Sequence, residues 1–307
     1  METLIVERSP DGIVTVTLHR PDKRNAINGP MWDELMAVFR EVGESASDRV
    51  LVLTGSAGSF CGGADLTPVP GKRRHQLDLM HHYGWVGLAL HEIPKPTIAK
   101  VNGVAVGAGL NLALGCDLIV AGESARFSEI FVKRGLAIDL GGSWLLPRLV
   151  GLHKAKELAL LGDMLDAKEA ERIGIVNRVV PDAELDRFVA DWAGRLAAGP
   201  PLALQLTKRM LTMGLATSLS EALHQEAMAQ SVTGASEDTA EAMRAAGISP
   251  ALIYAYEETG LIVTQENRRL IPDVELREFD ARCASTTTSS ATRARNSTDA
   301  SCSTSMH

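Results

Sequence analysis

Three features of this chain of 307 residues can do chemistry. The first is the bend Gly107-Ala108-Gly109, which opens a short apolar run at 110–114. Glycines there let the backbone turn sharply and approach another group closely. The run reads as the first turns of a buried helix. Its leading N–H groups lack intrahelical partners, and the helix dipole adds partial positive charge. An oxygen becoming an anion is stabilised at such a place. The second feature is another glycine-rich bend, Phe60-Cys61-Gly62-Gly63-Ala64-Asp65. One N–H from each bend can converge on a single carbonyl oxygen. The third is Asp139, set between Ile138 and Leu140 just before Gly141-Gly142. Apolar neighbours raise the pKa of a carboxyl towards neutrality and suit it to proton transfer. Each feature also has a plainer reading: a glycine-rich bend is more often only a tight turn, and an Asp ahead of a helix suits an N-cap.

The elements that must hold these groups follow from periodicity. Residues 4–7 and 13–18 read as strands around the hairpin turn Ser9-Pro10-Asp11-Gly12. Residues 50–55 and 97–101 are short, mostly apolar runs rich in β-branched residues, as expected of buried strands. Further strands are expected at 104–106, 118–121, 125–127 and 176–180. Residues 28–44 carry Met31, Leu35, Val38, Phe39 and Val42 on one helical face. Helices are also expected at 143–150, 153–161, 167–173, 184–197, 202–213 and 220–230. Strand–helix–strand alternation across 50–130 fits an α/β fold with a parallel sheet. The stretch 67–87 reads as a loop followed by a helix. It holds His75, His81 and His82, which are more simply solvated or packing side chains than proton carriers.

Composition narrows the function. The chain is 45% hydrophobic and 22% charged, in the globular range. A net charge of −7 gives no overall attraction for nucleic acid or an anionic membrane. Cys61, Cys116, Cys283 and Cys302 show no metal-ligand spacing, so reduced thiols in the cytoplasm are expected rather than disulfides or a metal. No signal peptide and no run of transmembrane length is evident.

The motifs resemble those of the crotonase (enoyl-CoA hydratase/isomerase) family over residues 3–245. The resemblance includes Arg20-Pro21 with Asn25-Ala26-Ile27-Asn28, Phe60 to Asp65, Pro94-Lys95-Pro96 with Asn102-Gly103, Gly107-Ala108-Gly109 and Cys116-Asp117. It continues through Phe127-Ser128-Glu129, Gly141-Gly142, Leu165-Asp166-Ala167 and Gly174-Ile175-Val176. It implies a spiral of ββα units over 1–198 and a helical oligomerisation region at 199–246, with a homotrimer or homohexamer as the assembly. It also implies an acyl-CoA thioester substrate and no separate cofactor, since CoA is part of the substrate. The amides of Ala64 and Ala108 would form the oxyanion hole. Lys23, Arg24, Ala26, Asp65, Leu66 and Gly107 would bind CoA, although the charge run at 20–24 is otherwise an ordinary solvated turn.

Position by position, the resemblance narrows the chemistry. Hydratases place glutamates where this chain has Asn111 and Phe131. Crotonase isomerases commonly carry their acid at the position of Asp139. Glu129 is the other acid in reach, and it could pair with Arg126 or Lys133. Three readings stay open: an enoyl-CoA isomerase with one acid, a hydratase with atypical residues, or an acyl-CoA-binding homologue without chemistry.

The C-terminal end departs from the family. Residues 247–282 form an atypical extension with an apolar run at 251–263. In 283–307, 13 of 25 residues are Ser or Thr. Such a tail buries too little apolar surface to offset its ordering entropy and is expected to be disordered. Deleting 283–307 is expected to leave both melting temperature and turnover unchanged. A large loss in either, by thermal melting or assay, would show that the tail docks.

Overall fold

The computed structural model describes residues 1–67 and 75–247. The expected extension and Ser/Thr-rich tail therefore lie outside the described residues, apart from Gly247. Within them the contacts define two compact units, Met1–Gln225 and one that begins at Glu226.

The first unit is built on strands whose residues dictate their burial. Strand β1 (Leu4–Arg8) pairs antiparallel with β2 (Ile13–Leu18). In β2 the residues Val14, Val16 and Leu18 are buried on one face. After helix α1 (Gly29–Glu44) comes β3 (Val50–Gly55), buried at every position. A strand covered on both faces needs such a continuous apolar run. Helix α2 (Gln76–His91) leads to β4 (Thr97–Val101) and β5 (Val104–Val106), then to α3 (Ala108–Leu114). Strands β6 (Leu118–Gly122) and β7 (Arg126–Ser128) follow, then helices α4 (Gly142–Val150) and α5 (Leu152–Leu161). A short β8 (Leu165–Asp166), which the residue pattern did not suggest, precedes α6 (Ala167–Arg172) and β9 (Arg178–Val180).

The large sheet has the order β1-β2-β3-β4-β6-β9, parallel from β2 onward. A second sheet orders β5-β7-β8, and parallel bridges Ile27–Ala64 and Cys61–Ala105 extend the same pairing backwards along the chain. Each turn of chain thus gives one strand to the large sheet, a shorter extended piece to the small one, and then a helix. This is the expected ββα spiral. The two faces of β3 serve different cores. Leu51 and Leu53 face a core with α1 and α3, whereas Val50 and Val52 pack under α7 (Leu185–Ala197) with Val189, Ala193 and Ala197.

Helix α8 (Pro201–Gly214) has no buried residue; α9 (Leu219–Gly234) and α10 (Glu237–Ala245) close the described chain. No helix among the described residues is long and apolar enough to cross a membrane.

Helix α3 is the innermost element, with all seven residues buried. It can approach the Cys61 segment only because residue 109 is glycine. A Cβ there would stand 2.5 Å from the Cys61 carbonyl oxygen and 2.7 Å from its Cβ. Gly109→Ala is expected to lower stability by about 1–3 kcal/mol, as overpacking typically does. An unchanged midpoint in urea denaturation would show that the helix relaxes freely.

Candidate active site

The two glycine-rich bends meet. The chain turns at Gly63 with φ +90° and at Gly107 with φ +54°, both in the region side chains disfavour. A Cβ on Gly63 would stand 3.9 Å from the Ala108 nitrogen. The local bonding also leaves donors free. Ile27 N–H donates to the Gly63 carbonyl, and Asp65 N–H donates to the Ile27 carbonyl, at 2.8 Å each. That parallel ladder turns the intervening Ala64 N–H away from the Ile27 strand. Ala108 is the first residue of α3, so its N–H has no intrahelical acceptor. The phenyl ring of Phe131 lines the same bend, 3.7 Å from where a Gly107 side chain would begin.

Behind this point lies a polar cluster inside an apolar core. Asn111 and Glu129 are each 1% exposed. The Asn111 amide nitrogen donates to the Asp139 carbonyl at 3.0 Å and lies 3.5 Å from a Glu129 carboxyl oxygen. Asn111 Oδ1, Glu129 Oε1 and Asp139 Oδ1 are buried with no hydrogen-bond partner among the described residues. Burial, and secondly the Asp139 charge, push the Glu129 carboxyl up to about 8, against the hydrogen bond from Asn111. Burial alone raises Asp139 to about 6. Two carboxyls so placed resist ionising together, and Glu129, the more deeply buried, is raised the further.

Residues 8–246 match the enoyl-CoA hydratase/isomerase family. The chain belongs to that family. It is 37% identical over 236 residues to the "Probable enoyl-CoA hydratase" of Rhodobacter capsulatus, covering 76% of this chain and 91% of that one. It is 36% identical over 250 residues to the 1,2-epoxyphenylacetyl-CoA isomerase of Escherichia coli K12, covering 80% and 95%. The crystal structure of enoyl-CoA hydratase from Bacillus anthracis matches with a TM-score of 0.76 at 30% identity, covering 79% of this chain and 95% of that one. Hydratases and an isomerase thus both stand among the relatives of this crotonase.

Several expectations need correcting. Glu129 pairs with neither Arg126 nor Lys133. The Arg126 guanidinium instead donates to the carbonyls of residues 123–125, and Lys133 pairs with Asp163 at 2.7 Å. Both cations are long surface side chains with nearer acceptors, whereas Glu129 points inward. Asp139 is not the N-cap of α4, which is Gly141 with no side-chain cap bond. The Asp65 side chain is engaged within the fold: it accepts from Thr67 N–H at 3.0 Å and pairs with Arg20 at 2.9 Å. Bonds from Thr67, joined by Arg20, hold its carboxyl down at about 2. Lys23 and Arg24 are exposed on a one-turn helix, Pro21–Lys23, and its exit. That turn runs over the first bend, for Gly62 N–H donates to the Arg24 carbonyl at 2.8 Å. Ala26 is half-buried beside it, and its carbonyl accepts from Arg20; Leu66 is 60% exposed.

Of the three histidines at 75–82, His81 is exposed. His75 caps α2, and His82 lies 2.9 Å from Asp33. Cys61 and Cys116 are free and buried, and burial pushes both thiols up to about 12. Reasoning from sequence treated Asn111 only as a missing glutamate. Its bond to Asp139 crosses 28 residues, and only the paired glycines 141 and 142 hinted at so close a packing.

The cluster makes stability depend on pH. Glu129 binds its proton more tightly folded than unfolded, where glutamate titrates near ~4.3. Its stabilising contribution is therefore full below about pH 4 and is lost as pH rises through about 8. Glu129→Gln removes that loss. The melting temperature of the variant is expected to gain on the parent as pH goes from about 5 to about 9. A pH-independent difference in melting temperature would place the Glu129 carboxyl in an ordinary solvated setting.

Proposed function

We propose that this protein is an acyl-CoA enzyme that isomerises enoyl-CoA thioesters, with Asp139 as the single acid/base. The observation that carries the reading is one ionisable carboxyl raised to about 6, set among apolar groups, while Asn111 and Phe131 stand at the positions of the hydratase carboxylates. In this reading the N–H groups of Ala64 and Ala108 donate to the thioester oxygen. Charge that develops there gains two hydrogen bonds, which makes the α and γ protons of the enoyl chain more acidic. Asp139 removes a proton from C2 of a 3-enoyl-CoA, and the electron pair delocalises into a dienolate. The same carboxyl returns the proton to C4, giving the 2-enoyl-CoA with no net gain or loss of atoms. Glu129 stays protonated beside it and keeps the charge in the cluster at one.

Lys23 and Arg24 take the CoA phosphates as charge-assisted contacts. Ala26, Asp65, Leu66 and Gly107 complete the CoA side, Asp65 by holding the loop through Arg20. No cofactor is needed beyond the CoA of the substrate. Assembly into a homotrimer or homohexamer belongs to the same reading, for α8 buries no residue and exposes Leu211 by 71%. The E. coli relative named as an isomerase supports this choice of reaction.

Hydration is the second reading. What favours it is the pair itself: a buried Glu129 and a half-buried Asp139, raised to different degrees, suit holding a water and delivering a proton. The R. capsulatus relative carries a hydratase name.

Assay of purified protein against 2-enoyl-, 3-enoyl- and 2,4-dienoyl-CoA separates the two. Asp139→Asn is expected to slow 3-enoyl-CoA isomerisation by about two to four orders of magnitude while acyl-CoA binding survives. In the parent, kcat/KM should rise with pH through about 6, as Asp139 loses its proton. Isomerisation by Asp139→Asn at the parent rate would give the chemistry to another group.

A further inference from the structure

Between Asp139 and α4 the chain makes a left-handed turn. The two residues that follow it, Leu140 and Gly141, have φ of +48° and +82°. For a leucine this left-handed conformation is disfavoured and persists only when the surroundings impose it. Two contacts do so here. The Leu140 side chain is buried against α2, where a Cβ on Gly87 would stand 3.1 Å from it. The Asp139 carbonyl accepts two hydrogen bonds, from Gly142 N–H at 2.9 Å and from the Asn111 side chain at 3.0 Å. The first comes from the start of α4, the next residues along the chain; only the second ties the turn to an element distant in sequence.

That element is α3, whose first residue is Ala108. Asn111 lies three residues further along this seven-residue helix, so one rigid piece carries both the free Ala108 N–H and the anchor of the Asp139 turn. The packing leaves no slack. A Cβ on Gly142 would stand 2.4 Å from both amide heavy atoms of Asn111. A glutamate at 111 has no amide N–H with which to hold the Asp139 carbonyl.

We infer that Asn111 is a positioning residue that fixes the distance between the proton-transferring carboxyl and the oxyanion donor, by clamping the Asp139 carbonyl to α3. This deepens the isomerase reading and rests on it for its kinetic consequence. Asn111 touches no reacting atom. It acts through Asp139, so its effect should vanish when Asp139 is no longer a base. A displacement of about an ångström at a reacting group is enough to cost about 100-fold in rate.

The test is a double-mutant cycle on 3-enoyl-CoA isomerisation with parent, Asn111→Ala, Asp139→Asn and the double variant. Asn111→Ala is expected to lower kcat by about tenfold to 100-fold with KM within about threefold, and to add nothing in the Asp139→Asn background. Gly142→Ala, which pushes on the same amide from the other side, should give the same split and serves if Asn111→Ala does not fold. A further readout needs no turnover. Carbon-13 NMR of the aspartate carboxyls should show the Asp139 midpoint, about 6 in the parent, fall in Asn111→Ala as the turn loosens and water reaches the carboxyl. If the parent does not isomerise, the reaction assignment fails and this titration still decides the clamp. An unmoved Asp139 midpoint in both folded variants would overturn the inference, as would a loss of kcat as large without the Asp139 carboxyl as with it.

Discussion

The structure depends on burying the N-terminus of α3. A helix start carries unpaired donors and partial positive charge, and it is normally capped by a side chain or by water. Here the residue before it is Gly107, which has no side chain, and all seven helical residues are buried. The helix can sit there because Gly109 lets it touch the Cys61 segment and because Cys61 and Val106 pair their backbones, Val106 N–H donating at 3.1 Å. The orphan donor is thereby kept within reach of the Gly63 bend. A helix end desolvated without a side-chain cap leaves a donor open to an acceptor from outside the fold.

The same burial explains the acids. Burial raises both Glu129 and Asp139, and the charge on Asp139 raises Glu129 further, so the two resist ionising together. Their carboxyls are raised to different degrees, to about 8 and about 6, because Glu129 is the more deeply buried and also feels Asp139. Asn111 is the neutral member of the cluster. An acid at that position would have added a third carboxyl to the same space and deprived the Asp139 carbonyl of its donor. The three residues are therefore physically linked, the Asn111 amide nitrogen reaching both the Asp139 carbonyl and the Glu129 carboxyl.

Membership of the enoyl-CoA hydratase/isomerase family leaves the reaction open, because a fold supports several chemistries and the relatives bear both names. What separates such chemistries in general is how many carboxyls reach the substrate and where each proton resides. That is a property of side-chain packing within a few ångströms.

The chain's own residues determined much of this. The apolar run 50–55 can only be a strand covered on both faces, and the stripe from Met31 to Val42 can only be one face of a helix. Local periodicity carries that information, so most elements were legible within a residue or two, as were the two glycine-rich bends. The short pair β7 and β8 was only half legible, since two or three residues have no periodicity and the pairing itself defines the strand. What tertiary structure alone decided was which groups meet. Asp139 reads as a proton carrier or a helix cap until α3 is seen to take its carbonyl, and Glu129 reads as a second acid or a surface ion-pair partner until its side chain is seen to be buried. Asn111 reads as an absence. These contacts join residues 18 and 28 apart through a left-handed turn at Leu140 that no leucine prefers, and such a turn is imposed by packing from α2 and α3 rather than by its own residues.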